Sequence, residues 1–198
     1  MQNDHSYETA GRTVQACWLA EETAIRGRLS GDEGIIPPEL PAQHSGLELL
    51  KAILRGELPP PPIGRVADYV LVEVECGRAT FQGTPKFDYY SPIGSVHGGW
   101  IAILLDSCVG CAVLSTLPAG KVFTTLELKV NYVRKVTDQT GPVRAHGQVI
   151  HSGGRVATAE GRLVDAAGRL YAHCTTTCLV LDLNSATPAP SDTRPVSR

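Results

Sequence analysis

Val96-His97-Gly98-Gly99-Trp100-Ile101-Ala102-Ile103-Leu104-Leu105-Asp106-Ser107 places one carboxylate inside an apolar run that opens on a histidine and two glycines. Between His97 and Lys121, Asp106 is the only charged side chain, and its helical neighbours are Ala102, Ile103, Val109 and Gly110. An unpaired carboxylate on an apolar helix face costs several kcal/mol or raises its own pKa, so an acid there needs a partner or a task. Perturbed acids concentrate in active sites. The plainer account is that Ser107 or a neighbouring strand satisfies the carboxylate.

Gly98 and Gly99 open the helix, and the first amides of a helix have no intrahelical acceptor, so they can hold an oxyanion. Close packing of the helix start is the alternative use of two glycines. His97 stands either as the cap of this helix or in contact with the reacting group. Asp106 lies eight residues beyond Gly98, roughly 12 Å along a helix at about 1.5 Å per residue. One chain therefore does not bring both groups to one atom. If they cooperate, a second copy must supply one of them, which predicts a homodimer, or a homotetramer built from such dimers, with shared sites.

Outward from the helix, the pattern changes to strands. Segments from Val66 to Glu75 and from Arg78 to Phe87 precede it; Lys121–Lys135, Val143–His151, Arg155–Asp165 and Arg169–Leu181 follow. Asp138–Gly141, Ser152-Gly153-Gly154 and Asp165–Gly168 separate the later strands with hairpin chemistry. In the first of those, Leu126, Leu128, Val130 and Tyr132 are expected on one face, with Glu127, Lys129 and Asn131 on the other. A strand pair, one long apolar helix and an antiparallel meander make an α+β domain whose curved antiparallel sheet wraps around a central helix.

Ahead of it, Ser45 with Glu48 marks the start of a short helix carrying Leu47, Leu50 and Leu54, and the prolines from Pro59 to Pro62 end it and lead into extended chain. Residues 1–44 form an N-terminal extension with a helix expected over Val14–Leu29, 45–182 the main domain, and 183–198 a disordered tail rich in Ser, Thr, Pro and Ala.

With 198 residues and a formal charge of −2, the chain suits one domain and gives no reason to expect nucleic acid or an anionic membrane as partner. The first residues lack a basic start followed by an apolar core, and no eighteen apolar residues run together, so a soluble cytoplasmic protein is expected. In that compartment the six cysteines read as free thiols. Cys108 with Cys111, and Cys174 with Cys178, sit in apolar regular elements rather than in the turns that present zinc thiolates, so they read as small buried hydrophobes and no metal is expected.

The stretch SPIGSVHGGWIAILLDSCVGCAV, followed by TTLELKVNYVRK, resembles the hotdog-fold acyl-CoA thioesterases of the phenylacetate-pathway, PaaI-like type. Gly94, His97, Gly98, Gly99 and Asp106 match that family in spacing, and the resemblance runs from about Ser45 to Asp182. It implies that the Gly98 amide polarises a thioester carbonyl while Asp106, from the facing subunit, activates water or attacks directly. It further implies that Thr124 stands near the acid, where its plain role is that of a strand opener. Two departures stand out: Ser91, where the family usually carries Asn or Gln, and Gly110, where some members carry Ser or Thr. Ser91 has a single O–H to donate to the substrate carbonyl or the water.

By the same resemblance, Gly99, Arg134 and Lys135 at one place and Gly153, Gly154 and Arg155 at another would meet coenzyme A, which enters as part of the substrate and not as a required cofactor. Solvated strand ends are the plainer reading of these last five. Trp100, Leu104 and Phe123 are candidates for lining the acyl pocket. Two other functions remain open: an acyl-CoA binding or regulatory module without chemistry, and an enoyl-CoA hydratase, against which stands the lack of a downstream His partner for Asp106.

Overall fold

Five helices and eight strands, besides two short 3-10 turns, follow one another in the computed structural model, which describes residues 4–29, 31 and 33–183. Four helices come first: α1 (Asp4–Arg28), α2 (Leu40–Gln43), α3 (Gly46–Leu54) and α4 (Pro62–Ala67). Then come β1 (Tyr69–Glu75), β2 (Arg78–Gly83), the two-residue β3 (Tyr90–Ser91) and β4 (Ser95–Val96), and the long helix α5 (Gly98–Leu114). The chain ends in β5 (Lys121–Tyr132), β6 (Val143–Ser152), β7 (Val156–Asp165) and β8 (Leu170–Asp182). Six strands pair antiparallel in the order β1-β2-β6-β7-β8-β5, leaving β1 and β5 as edges.

A helix that is apolar all round belongs in a core. Leu104, Leu105, Cys108, Val109, Ala112 and Val113 of α5 are fully buried against the inner face of the sheet, each large aliphatic contributing about 1.5–3 kcal/mol. The fit depends on missing side chains in the strands beneath. A Cβ on Gly147 of β6 would lie 2.3 Å from the Cys108 carbonyl oxygen, and one on Gly161 of β7 2.8 Å from Val109. The helix backbone therefore rests almost directly on the sheet. One stripe of α5 (Ala102, Ile103, Asp106, Ser107, Cys111 and Leu114) faces away from the sheet and is only half-buried.

The N-terminal extension packs on the other side. Ile25 of α1, 2 % exposed, joins Val70 and Val72 in a second small cluster on the outer face. Polar groups fix the rest of the contact: buried Gln82 donates to the Trp18 carbonyl oxygen and to Glu22, and Arg144 bridges Gln82 and Glu21 while lying over the Trp18 ring.

Several sequence expectations need correction. The strand expected from Val66 begins at Tyr69, because Pro62–Ala67 forms a helical turn; Pro62 occupies its first position, where a missing N–H costs nothing. That turn ends on Asp68, whose φ of +48° makes it the one left-handed non-glycine among the described residues. The strand after it stops at Gly83 instead of Phe87, and α1 starts ten residues before Val14, at Asp4. In β5 the alternation breaks: Thr125 pairs with Cys178 and Glu127 with Thr177, so Leu126 is an extra, bulged residue, 59 % exposed. Leu126 therefore leaves the face it was expected to share with Leu128 and Val130. Leu183 hydrogen-bonds to Gly120, while the rest of the tail expected to be disordered lies outside the described residues. The Ser45–Glu48 capping box forms as expected.

Candidate active site

The helix start is built by His97. Its extended backbone ends the β3–β4 hairpin, and its Nδ1 accepts the Gly99 N–H at 2.8 Å, so His97 is the cap of α5. Its own N–H donates to the Tyr89 carbonyl oxygen at 2.7 Å, which locks the turn. Trp100, one residue further, donates its indole N–H to the Ala67 carbonyl oxygen at 2.8 Å and stacks on Tyr89, fixing the rotation of the helix. With the Gly99 amide engaged by His97, the Gly98 N–H is the first of the helix and takes no acceptor among the described residues.

Around Gly98 lies a shallow cleft that also contains Ser91, Tyr132, Arg134 and Lys135. Four of the residues singled out from the sequence thus meet at one place. Ser91 spends its O–H on the Ser95 carbonyl oxygen at 3.1 Å, across its own hairpin. Tyr132 was not among the candidates for the site. Its O–H donates to the Gly98 carbonyl oxygen at 2.9 Å, and its ring lies where a Cβ on Gly98 would stand, at 3.1 Å. Gly98 is therefore required for the approach of Tyr132 as well as for an open amide. The only signal in the sequence was an aromatic at the end of an alternating strand.

Arg134 donates to the Leu170 carbonyl oxygen at 3.3 Å and sits 5.9 Å above the Tyr171 ring, so its charge is held in place. Gly153, Gly154 and Arg155 are elsewhere. Their turn lies beside Lys121, whose ammonium is 3.5 Å from the Gly154 carbonyl oxygen, at the opposite end of β5 from Arg134 and Lys135. Within one chain the two sets are separated by the length of that strand, about 36 Å at about 3.3 Å per residue.

Asp106 projects from the half-buried stripe of α5. Thr125 donates to its Oδ1 at 3.2 Å, so the threonine that reaches the acid is Thr125. Thr124 is exposed on the opposite side of the strand, one residue out of phase with the expectation. Next along the helix, Ser107 donates to the Tyr69 hydroxyl at 2.9 Å. Trp100 and Leu104 belong to the closed core, and Phe123 packs over the bare Gly110. Burial raises the Cys108 thiol well above its ordinary value and pushes Cys111 up to about 12, with the nearby Asp106 charge adding to both, so neither is a thiolate nucleophile at neutral pH. Among the described residues, no His, Cys, Asp and Glu cluster that could hold a metal is present, and no helix is long and apolar enough to cross a membrane.

A curved antiparallel sheet around one central helix, with an open amide at the helix start and a lone acid halfway along it, defines a hotdog-fold protein. The family model of the Thioesterase superfamily matches residues 93–172, from the β3–β4 hairpin through most of the meander. A putative thioesterase of Ralstonia eutropha, described as phenylacetic acid degradation-related, is 27 % identical with a TM-score of 0.60; the match covers 66 % of this chain and 98 % of that one. A conserved protein of Pseudomonas aeruginosa is 28 % identical with a TM-score of 0.57, over 61 % of this chain and 94 % of that one. AziG of S. sahachiroi is 21 % identical with a TM-score of 0.59, over 62 % of this chain and 98 % of that one. Among curated proteins none matches. The resemblance to PaaI-like hotdog thioesterases drawn from the sequence thus holds, for about two thirds of the chain; the remaining third has no counterpart in these three structures.

Proposed function

We propose that this protein hydrolyses an acyl-CoA thioester, in the cytoplasm, at sites shared between two copies of the chain. The observation that carries the reading is Asp106, the single charge on α5, half-buried and held by Thr125. Nothing about packing calls for a carboxylate there, whereas water activation does.

In this reading the Gly98 N–H of one subunit polarises the thioester carbonyl, and the partner subunit's Asp106 takes a proton from the water that attacks the carbonyl carbon. The tetrahedral oxyanion rests on the amide and on the positive end of α5 until the carbon–sulfur bond breaks and the coenzyme A thiolate leaves. Direct attack by the carboxylate uses the same residues. His97 keeps the helix start in shape, Ser91 borders the cleft beside it, and Thr125 holds Asp106.

Two features support a dimer. The stripe of α5 that carries Asp106 is mostly apolar and only half-buried within one chain, and β5 is an edge strand with Leu126 and Tyr132 more than half exposed. Pairing two β5 edges antiparallel about a twofold axis brings Gly153, Gly154 and Arg155 of one chain toward Arg134 and Lys135 of the other. Their charges and amides suit the phosphates of coenzyme A.

The test is thiol release from a panel of acyl-CoAs by wild type and Asp106→Asn, a near-isosteric change that removes the base. Turnover by the wild type, falling by about a hundredfold or more in the variant with its fold and coenzyme A binding retained, is the expected result. Equal coenzyme A binding with no turnover by either protein would replace the enzyme by a binding module.

A further inference from the structure

Beside the sheet, and on the far side of α5 from the Gly98 cleft, lies a cavity of about 330 Å³. Its wall is apolar: Leu29 from the end of α1, Leu50, Ile53 and Leu54 from α3, Leu71 from β1 and Phe81 from β2. Its mouth is charged, with Arg26 paired to Asp68 at 3.0 Å and Arg65 facing Glu33 at 3.7 Å. Such a volume falls at the lower end of the roughly 300–1,000 Å³ of small-molecule sites. Counting about 30 Å³ for each water-sized unit, it has room for an acyl chain of about ten carbons.

The inner end is what ties this cavity to the chemistry. Tyr69 and Cys111 line it there. Ser107, the residue next to Asp106, hydrogen-bonds to the Tyr69 hydroxyl at 2.9 Å, and Cys111 lies one helical turn beyond Ser107. The charge of Asp106 reaches both Tyr69 and Cys111, adding to the upward shift that burial imposes on each. The cavity therefore ends about one and a half turns of helix from the acid. Much of its outer wall comes from α1, α4 and the segment between α1 and α2, in a chain about a third of which has no counterpart in the three similar structures.

We propose that this cavity is the acyl-chain compartment of the enzyme, and that the N-terminal extension sets the substrate class as medium-length aliphatic acyl thioesters. The proposal rests on the hydrolytic reading above and adds to it which subunit holds the acyl tail: the one that supplies Asp106.

The experiment fills the cavity from two sides. Leu54→Trp intrudes from α3 and Leu29→Trp from the half-exposed end of α1, while Leu19→Trp, on the exposed face of α1, is the control. The readout is the ratio of kcat/KM for decanoyl-CoA over acetyl-CoA, with melting temperatures measured alongside. A ratio reduced about tenfold or more by both filling variants and kept by Leu19→Trp is the expected result. If Leu54→Trp does not fold, Leu29→Trp decides. A ratio unchanged in folded filling variants overturns the proposal, as does a wild type that prefers acetyl-CoA to every longer thioester. Should the wild type turn over no thioester at all, the hydrolytic reading fails separately, and calorimetry with decanoyl-CoA and free coenzyme A decides the compartment. Tighter binding of decanoyl-CoA that Leu54→Trp abolishes upholds it; equal binding of the two ligands ends it.

Discussion

The two faces of the sheet hold their helices by different physics. On the inner face α5 presses its backbone onto bare glycines, with Leu104, Leu105 and Val109 fully buried, and its hydrogen bonds to Thr125, Tyr132 and Tyr69 of the sheet lie outside that buried contact. On the outer face α1 is fastened by Ile25 at one point and otherwise by amides and charges: Gln82 to Glu22, Arg144 to Glu21, and the Arg144 guanidinium 4.4 Å from the Trp18 ring. The first contact is dry and set by shape, so it fixes where Gly98 and Asp106 stand. The second is polar and directional, so it can be added to a finished scaffold without disturbing the inner packing. The three similar structures match nearly their full length while leaving about a third of this chain unmatched.

Breaking the inner contact should have the largest effect. Gly147→Ala drives a methyl against the Cys108 carbonyl oxygen, a backbone atom that cannot swing aside. The expected loss is about 3 kcal/mol, at the upper end for overpacking, read as a lower midpoint in urea unfolding. Thiol release should fall with it, since Asp106 sits two residues from the displaced carbonyl.

Breaking the outer contact should cost less and act elsewhere. Arg144→Met removes the bonds to Gln82 and Glu21 and leaves the Gln82 amide with one partner fewer in a fully buried place. About 2 kcal/mol is expected. Limited proteolysis should then cut within α1 while the sheet domain resists; a variant that loses both together would show the two contacts to be one cooperative unit.

The smallest effect separates charge from shape at the junction. Asp68 pairs with Arg26 of α1 and with Lys86, all three partly exposed. Asp68→Asn keeps a residue that tolerates the left-handed backbone and removes both ion pairs, so a loss below about 1 kcal/mol is expected, shrinking further in high salt. A larger or salt-independent loss would mean that Asp68 acts through the backbone turn.

Much of this was legible in the sequence. The apolar run with one acid could only be a buried helix, and it is α5 within a residue of its expected start. Ser45 and Glu48 announced the capping box, and the glycine-bearing hairpins placed the last three strands to within a residue or two. The differences have two causes, distant pairing and one misleading local signal. The family resemblance points to Thr124, but the bulge at Leu126 sets Thr125 on the face toward Asp106, and a bulge is decided by the partner strand. The proline run before α4 suggests extended chain, although Pro62 itself fits a first helical position. Tyr132 was read as a strand face residue, since its bond to Gly98 joins positions 34 residues apart.

By itself, then, the sequence determined the central helix, its lone carboxylate and the hairpin order, because each is written in neighbours a few residues apart: periodicity, caps and turn chemistry act locally. Only the tertiary structure decided that Thr125 and not Thr124 reaches Asp106, that Arg134 and Gly153 lie at opposite ends of one strand, and that α1 and α4 help to enclose a cavity ending near the acid. Those are distances between segments far apart in the chain, and they depend on which strands pair, where the register slips and which faces find each other on folding.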